Sequence, residues 1–128
     1  METLQSYLAG EWIAGTGKMA TLVDPTTEAP VAQASTEGLD LGKAIAFARS
    51  EGGPALRALT FAQRGELLRA LSRLLYTHRD ALIELAIKNG GNTRSDAKFD
   101  IDGASGTLAA YADLGKELDR KSVCRERV

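Results

Sequence analysis

Gly15-Thr16-Gly17-Lys18 has the look of a phosphate cradle, because consecutive backbone N–H groups in a glycine-rich loop can surround phosphate oxygens. A phosphate loop also needs a glycine five residues before Gly17 and a hydroxyl residue after Lys18, and those places hold Trp12 and Met19. A dinucleotide fingerprint fails too, since Ala20 stands where its third glycine belongs, so the stretch reads as a turn. Asp96, Asp100 and Asp102 offer carboxylates for acid–base work or for a cation. Asp96 and Asp100, four apart, share a helical face, while Asp102 falls elsewhere on the wheel. With Lys98 among them and no His or Cys beside them, a solvated face or the preference of helix starts for acids accounts for all three. Asn89-Gly90-Gly91-Asn92-Thr93-Arg94 carries donors for an anion, yet a connection between helices needs the same residues. His78 is the single histidine and Cys124 the single cysteine. This chain therefore supplies no zinc cluster, internal disulfide or Ser-His-Asp or Cys-His site. His78 reads as the joint between two helices, and Cys124, although its neighbours are basic, is assigned no catalytic role.

The elements that would position these groups are mostly helices. Tyr7 to Leu8, Glu11 to Ile13, Leu22 to Val23 and Val31 to Ala34 read as short strands, with turn chemistry at Gly15 to Gly17 and Asp24 to Thr27. A first helix is predicted after Asp40, whose carboxylate can cap it, with a stripe of Leu41, Ala44, Ile45 and Ala48 that Gly52-Gly53-Pro54 should end. Thr60 and Gln63 have the spacing of a capping box and open a stronger helix. Its leucines at 67, 68, 71, 74 and 75 should face inward, and Arg64, Glu66, Arg69 and Arg73 outward. A further helix is predicted over Asp80 to Lys88, with Leu82, Leu85 and Ala86 inward and Gly90-Gly91 ending it. The last should start at Ser95 or Asp96 and bury Ile101, Ala104, Leu108, Tyr111 and Ala112. The expected fold class is α+β: a β-hairpin region followed by about four α-helices.

Composition agrees with that balance. Of 56 hydrophobic residues, 20 are Ala and 17 Leu, whereas Val and Ile together number nine, which suits helices better than the Val/Ile-rich strands of a doubly wound sheet. The formal net charge of −1, with signs interspersed, indicates neither nucleic acid nor an anionic membrane as partner. No apolar stretch approaches the roughly 20 residues that cross a bilayer. The N-terminus METLQSYLAGEW has neither a basic n-region nor an h-region, so the expected location is cytoplasmic. Residues 119–128 differ from the rest: they hold four of the 16 basic residues and the cysteine and are +2, against −3 for residues 1–118. The expectation is a domain segment over 1–118 and a disordered or non-native tail over 119–128, of the kind a translated sequencing adapter would give.

GEWIAGTG (Gly10 to Gly17), DPTTEAPVAQAS (Asp24 to Ser35) and EGLDLGKAIAFAR (Glu37 to Arg49) resemble the N-terminal opening of aldehyde dehydrogenases. GGPALRALTFAQRGELLRAL (Gly52 to Leu71) and NGGNTRSDAKFDIDGASGTLAAYADLG (Asn89 to Gly115) resemble one branch of that family, the CoA-linked semialdehyde dehydrogenases of aromatic-compound degradation. The resemblance covers residues 1 to about 118. It implies the N-terminal part of the family's α/β fold, a hairpin and helix bundle beside the nucleotide-binding core. It also implies a whole enzyme in which a cysteine thiolate attacks the aldehyde, hydride passes to NADP or NAD, and a glutamate-activated water releases the acid.

The family's catalytic cysteine, glutamate and asparagine and its cofactor-binding lysine fall beyond the resembling stretch. No catalytic or cofactor-binding residue is therefore assigned here, and no dinucleotide is expected to bind these residues alone. Some members hold a structural monovalent cation, which carries over as the candidates Val23, Asp100 and Asp102. The resemblance further implies homo-oligomers for the whole enzyme. The expected function is a catalytically silent N-terminal part of such a dehydrogenase; the alternative is a stand-alone helical module that docks a partner through its leucine face.

Overall fold

The structure, a computed structural model, describes residues 1–125, with side chains as far as Lys121. The described residues open with five short strands: β1 (Glu2–Thr3), β2 (Ser6–Leu8), β3 (Glu11–Ile13), β4 (Ala20–Val23) and β5 (Pro30–Ala34). Ala9 and Gly10 take φ of +50° and +90°, the left-handed pair that a two-residue hairpin turn uses. They join β2 to β3 with Tyr7 opposite Trp12, whose rings lie 5.1 Å apart. A second sheet has the order β1-β5-β4, antiparallel between β4 and β5 and parallel between β1 and β5. Sequence reading passed over β1: two residues carry no period, and only pairing with β5 makes them a strand. The β4–β5 turn is closed by Asp24, whose Oδ1 accepts from the N–H of Thr26 at 2.7 Å and of Thr27 at 3.3 Å.

The helices follow. Asp40 caps α1 (Leu41–Phe47) by accepting from Lys43 N–H at 2.8 Å, as its position indicated. Gly52-Gly53-Pro54 does not stop the run. A π-helical turn over Ala48–Gly52 leads directly into α2 (Gly53–Arg57), and Gly52 and Gly53 both keep right-handed helical angles. Pro54 lies in the first turn of α2, where a missing N–H costs nothing. Leu41 and Ile45, expected inside, are exposed.

Three longer helices complete the described chain: α3 (Phe61–Thr77), α4 (Arg79–Gly90) and α5 (Arg94–Arg125). The capping box opening α3 is complete in both directions: Gln63 N–H donates to Thr60 Oγ1 at 3.2 Å and Thr60 N–H to Gln63 Oε1 at 2.9 Å. Gly91, at φ +68°, ends α4 in the left-handed conformation. α5 starts at Arg94 rather than Ser95 or Asp96, because Thr93 Oγ1 accepts from Asp96 N–H at 3.2 Å. It then runs unbroken past residue 118 to Arg125; the remainder of the tail set off by composition lies outside the described residues.

Helix α3 packs on α5 through its small residues. Gly65 and Ser72 are buried there, while Leu67, Leu71 and Leu74 are 56%, 44% and 54% exposed. A Cβ on Gly65 would stand 2.7 Å from the carbonyl oxygen of Ala112, and one on Gly115 2.6 Å from that of Phe61. The two backbones therefore approach too closely for leucine at the crossing: Leu67, Leu71 and Leu74 are turned away, while Leu68 and Leu75, as expected, face partly inward and are half-buried. α5 correspondingly buries Ala97, Ser105, Ala112 and Gly115, not Ala104 or Tyr111. α4 buries Ile83 and turns Leu85 outward, the reverse of the expectation for Leu85.

Candidate functional site

The loop at Gly15 to Lys18 packs against residues 35–38. Thr16 N–H donates to the Glu37 carbonyl at 3.0 Å and Lys18 N–H to Glu37 Oε2 at 3.2 Å. Any Cβ on Gly15 would collide with the Ser35 carbonyl, and any on Gly17 with the Glu37 side chain. Glycine is thus needed for loop-on-loop packing, and a carboxylate already occupies the side where a phosphate would have to approach. These residues do not fit a dinucleotide.

The carboxylates at 96, 100 and 102 are not brought together as a site. Asp96 turns back to Thr93, accepting from its hydroxyl at 2.7 Å; Asp100 is exposed on α5; Asp102 faces α4. There Arg79 donates through Nε at 2.5 Å and Nη2 at 3.0 Å to the two Asp102 oxygens, and Lys98 Nζ adds a bond at 2.9 Å. The Arg79 hydrogen bonds, then that from Lys98, hold the Asp102 carboxyl far below the usual carboxylate range, and Asp102 in turn raises Arg79. With two cations on its oxygens, Asp102 has the partners of a structural ion cluster. Val23 lies at the end of β4 next to a bulge, and no group of three or more His, Cys, Asp or Glu fit for a metal occurs among the described residues.

The remaining sequence candidates also have structural partners. Arg94 pairs with Glu84, and Gly91 packs against Pro25 and Thr26 of the β4–β5 turn. His78 joins α3 to α4: its N–H donates to the Leu74 carbonyl at 3.1 Å and its carbonyl accepts from Leu82 N–H at 3.0 Å. Cys124 lies on α5, with its side chain outside the described residues.

Sequence reading missed two organising groups. Asp119 lies beyond the expected segment boundary at residue 118, and its two oxygens accept from Phe61 N–H at 2.9 Å and Ala62 N–H at 2.8 Å. The bond from Ala62 N–H is the largest of the causes that lower its carboxyl. Those are amides of the first turn of α3 that the capping box leaves open. Arg69 was placed outward and instead pairs with Asp113 across the α3–α5 seam. Neither partnership has a signal in local spacing; by contrast, the Lys98–Asp102 pair has i, i+4 spacing. Between α3 and α5 runs an open groove of about 370 Å³ lined by Ser72, Arg73, Tyr76, Thr77, Ser105, Gly106 and Ala109. Its buried serines are both bonded to α5 backbone: the Ser72 hydroxyl donates to the Ser105 carbonyl at 2.8 Å and the Ser105 hydroxyl to the Asp102 carbonyl at 3.0 Å. Among the described residues the polar groups brace helices against each other rather than converging on a reacting atom.

Comparison with known proteins gives this frame a context. The model of the aldehyde dehydrogenase family matches residues 12–127. Over 115 residues the chain is 42% identical to the 3,4-dehydroadipyl-CoA semialdehyde dehydrogenase of Aromatoleum evansii, covering 90% of this chain and 22% of that protein. It is 29% identical to the NADP-dependent succinate-semialdehyde dehydrogenase of Escherichia coli (strain K12), covering 89% and 24%. The solved structure of an NAD-dependent benzaldehyde dehydrogenase from Corynebacterium glutamicum superposes with a TM-score of 0.78 at 23% identity, over 88% of this chain and 25% of the other. That superposition speaks for the fold alone. The chain spans about a quarter of the length of the relatives it matches.

Proposed function

The chain belongs to the aldehyde dehydrogenase family, and from that premise we propose that its 128 residues are the N-terminal part of an NAD(P)-dependent enzyme. That enzyme oxidises a CoA-linked semialdehyde to the acid in aromatic-compound degradation. The reaction proposed for the whole protein takes aldehyde, water and NAD(P)⁺ to acid, NAD(P)H and a proton. The observation that carries the reading is the 42% identity to a dehydroadipyl-CoA semialdehyde dehydrogenase over nearly all of this chain and only 22% of that relative. These residues serve as frame: Gly65 and Gly115 let α3 and α5 touch, Asp119 holds the start of α3, and the Arg79–Asp102 pair ties α4 to α5. The whole enzyme is proposed to be a cytoplasmic homo-oligomer that uses NADP or NAD and binds neither nucleic acid nor membrane. In support of the last point, no helix among the described residues is long and apolar enough to cross a membrane.

The test is direct. The purified 128-residue chain is expected to show no aldehyde-dependent NADPH or NADH formation with semialdehyde substrates; turnover that survives Cys124→Ser would overturn the reading. An open frame continuing downstream in the gene to a catalytic cysteine would support it. The exposed face of Leu67, Leu71 and Leu74 favours a second reading, a helical module that docks a partner without enzymatic activity. That reading expects a stable monomer with cooperative unfolding from the 128 residues alone.

A further inference from the structure

No further inference is drawn: the strongest candidate, the apolar face that α3 turns away from α5 at Leu67, Leu71 and Leu74, carries nothing because nothing in the structure shows what covers it.

Discussion

Two glycines set the distance between the long helices. An exposed helical Gly→Ala change ordinarily gains up to about 1 kcal/mol. At Gly65 the added methyl would meet the Ala112 carbonyl oxygen at 2.7 Å, and at Gly115 that of Phe61 at 2.6 Å. Both obstacles are backbone, which cannot swing aside as a side-chain tip can, so overpacking wins. Gly65→Ala and Gly115→Ala should each destabilise by about 1–3 kcal/mol, read as a lower denaturant midpoint, whereas Gly106→Ala, with open space around it, should be neutral or slightly stabilising. The acids give a pH signature. Asp102 and Asp119 are held below their ordinary value of 3.8 by bonds made to the ionised form. A depressed folded value means that the stabilisation is fully present above about pH 4 and is lost as pH falls below it. Unfolding midpoints followed from pH 6 down to pH 2 should therefore drop on the acid side, and the drop should be shallower in Asp102→Asn.

At the level of elements, what sequence made legible was whatever a residue does to its own neighbours in the chain. The Asp40 cap, the Thr60–Gln63 box, the Asp24 turn and the Gly91 stop all act within four residues, and all are where spacing placed them. Removing the box is a clean test: Thr60→Ala should cost about 1 kcal/mol, and amide exchange should quicken over the first turn of α3. The direction a helix faces was less legible. The hydrophobic period of α3 points to its leucines, but the close crossing with α5 selects Gly65 and Ser72 for the contact. The Gly52-Gly53-Pro54 stop failed for a related reason, since a π turn and a first-turn position absorb residues that would break an α-helix interior. Of the candidate site, the joint at His78 was legible; the Lys98–Asp102 pair has i, i+4 spacing but was not among the expectations. The bonds from α3 and α4 to Asp119 and Asp102 were not legible, because 57 and 23 residues separate Ala62 from Asp119 and Arg79 from Asp102.

For the molecule as a whole, surface area is the telling quantity. A compact monomer of 13.6 kDa exposes about 6,600 Å², and this chain exposes 9468 Å², an excess of roughly 2,900 Å². Among the described residues twenty large hydrophobics contribute to it, including Trp12, Ile45, Phe61 and Tyr111, and the fully buried large side chains reduce to Ile83. A core that thin, with that much apolar surface outside it, should bind a hydrophobic dye at neutral pH and unfold with a shallow denaturant slope. Negligible dye binding together with a steep, cooperative transition would contradict this and favour the stand-alone module.

The bond between Asp119 and the start of α3 also has a meaning in time. A ribosome adds about 5–20 residues per second, and 58 positions separate Phe61 from Asp119. Thr77 ends α3, and the 42 positions from there to Asp119 take roughly 2–8 s to synthesise, during which α3 is complete without the carboxylate that holds its first amides. A nascent chain arrested before Asp119 would leave those first-turn amides of α3 to water.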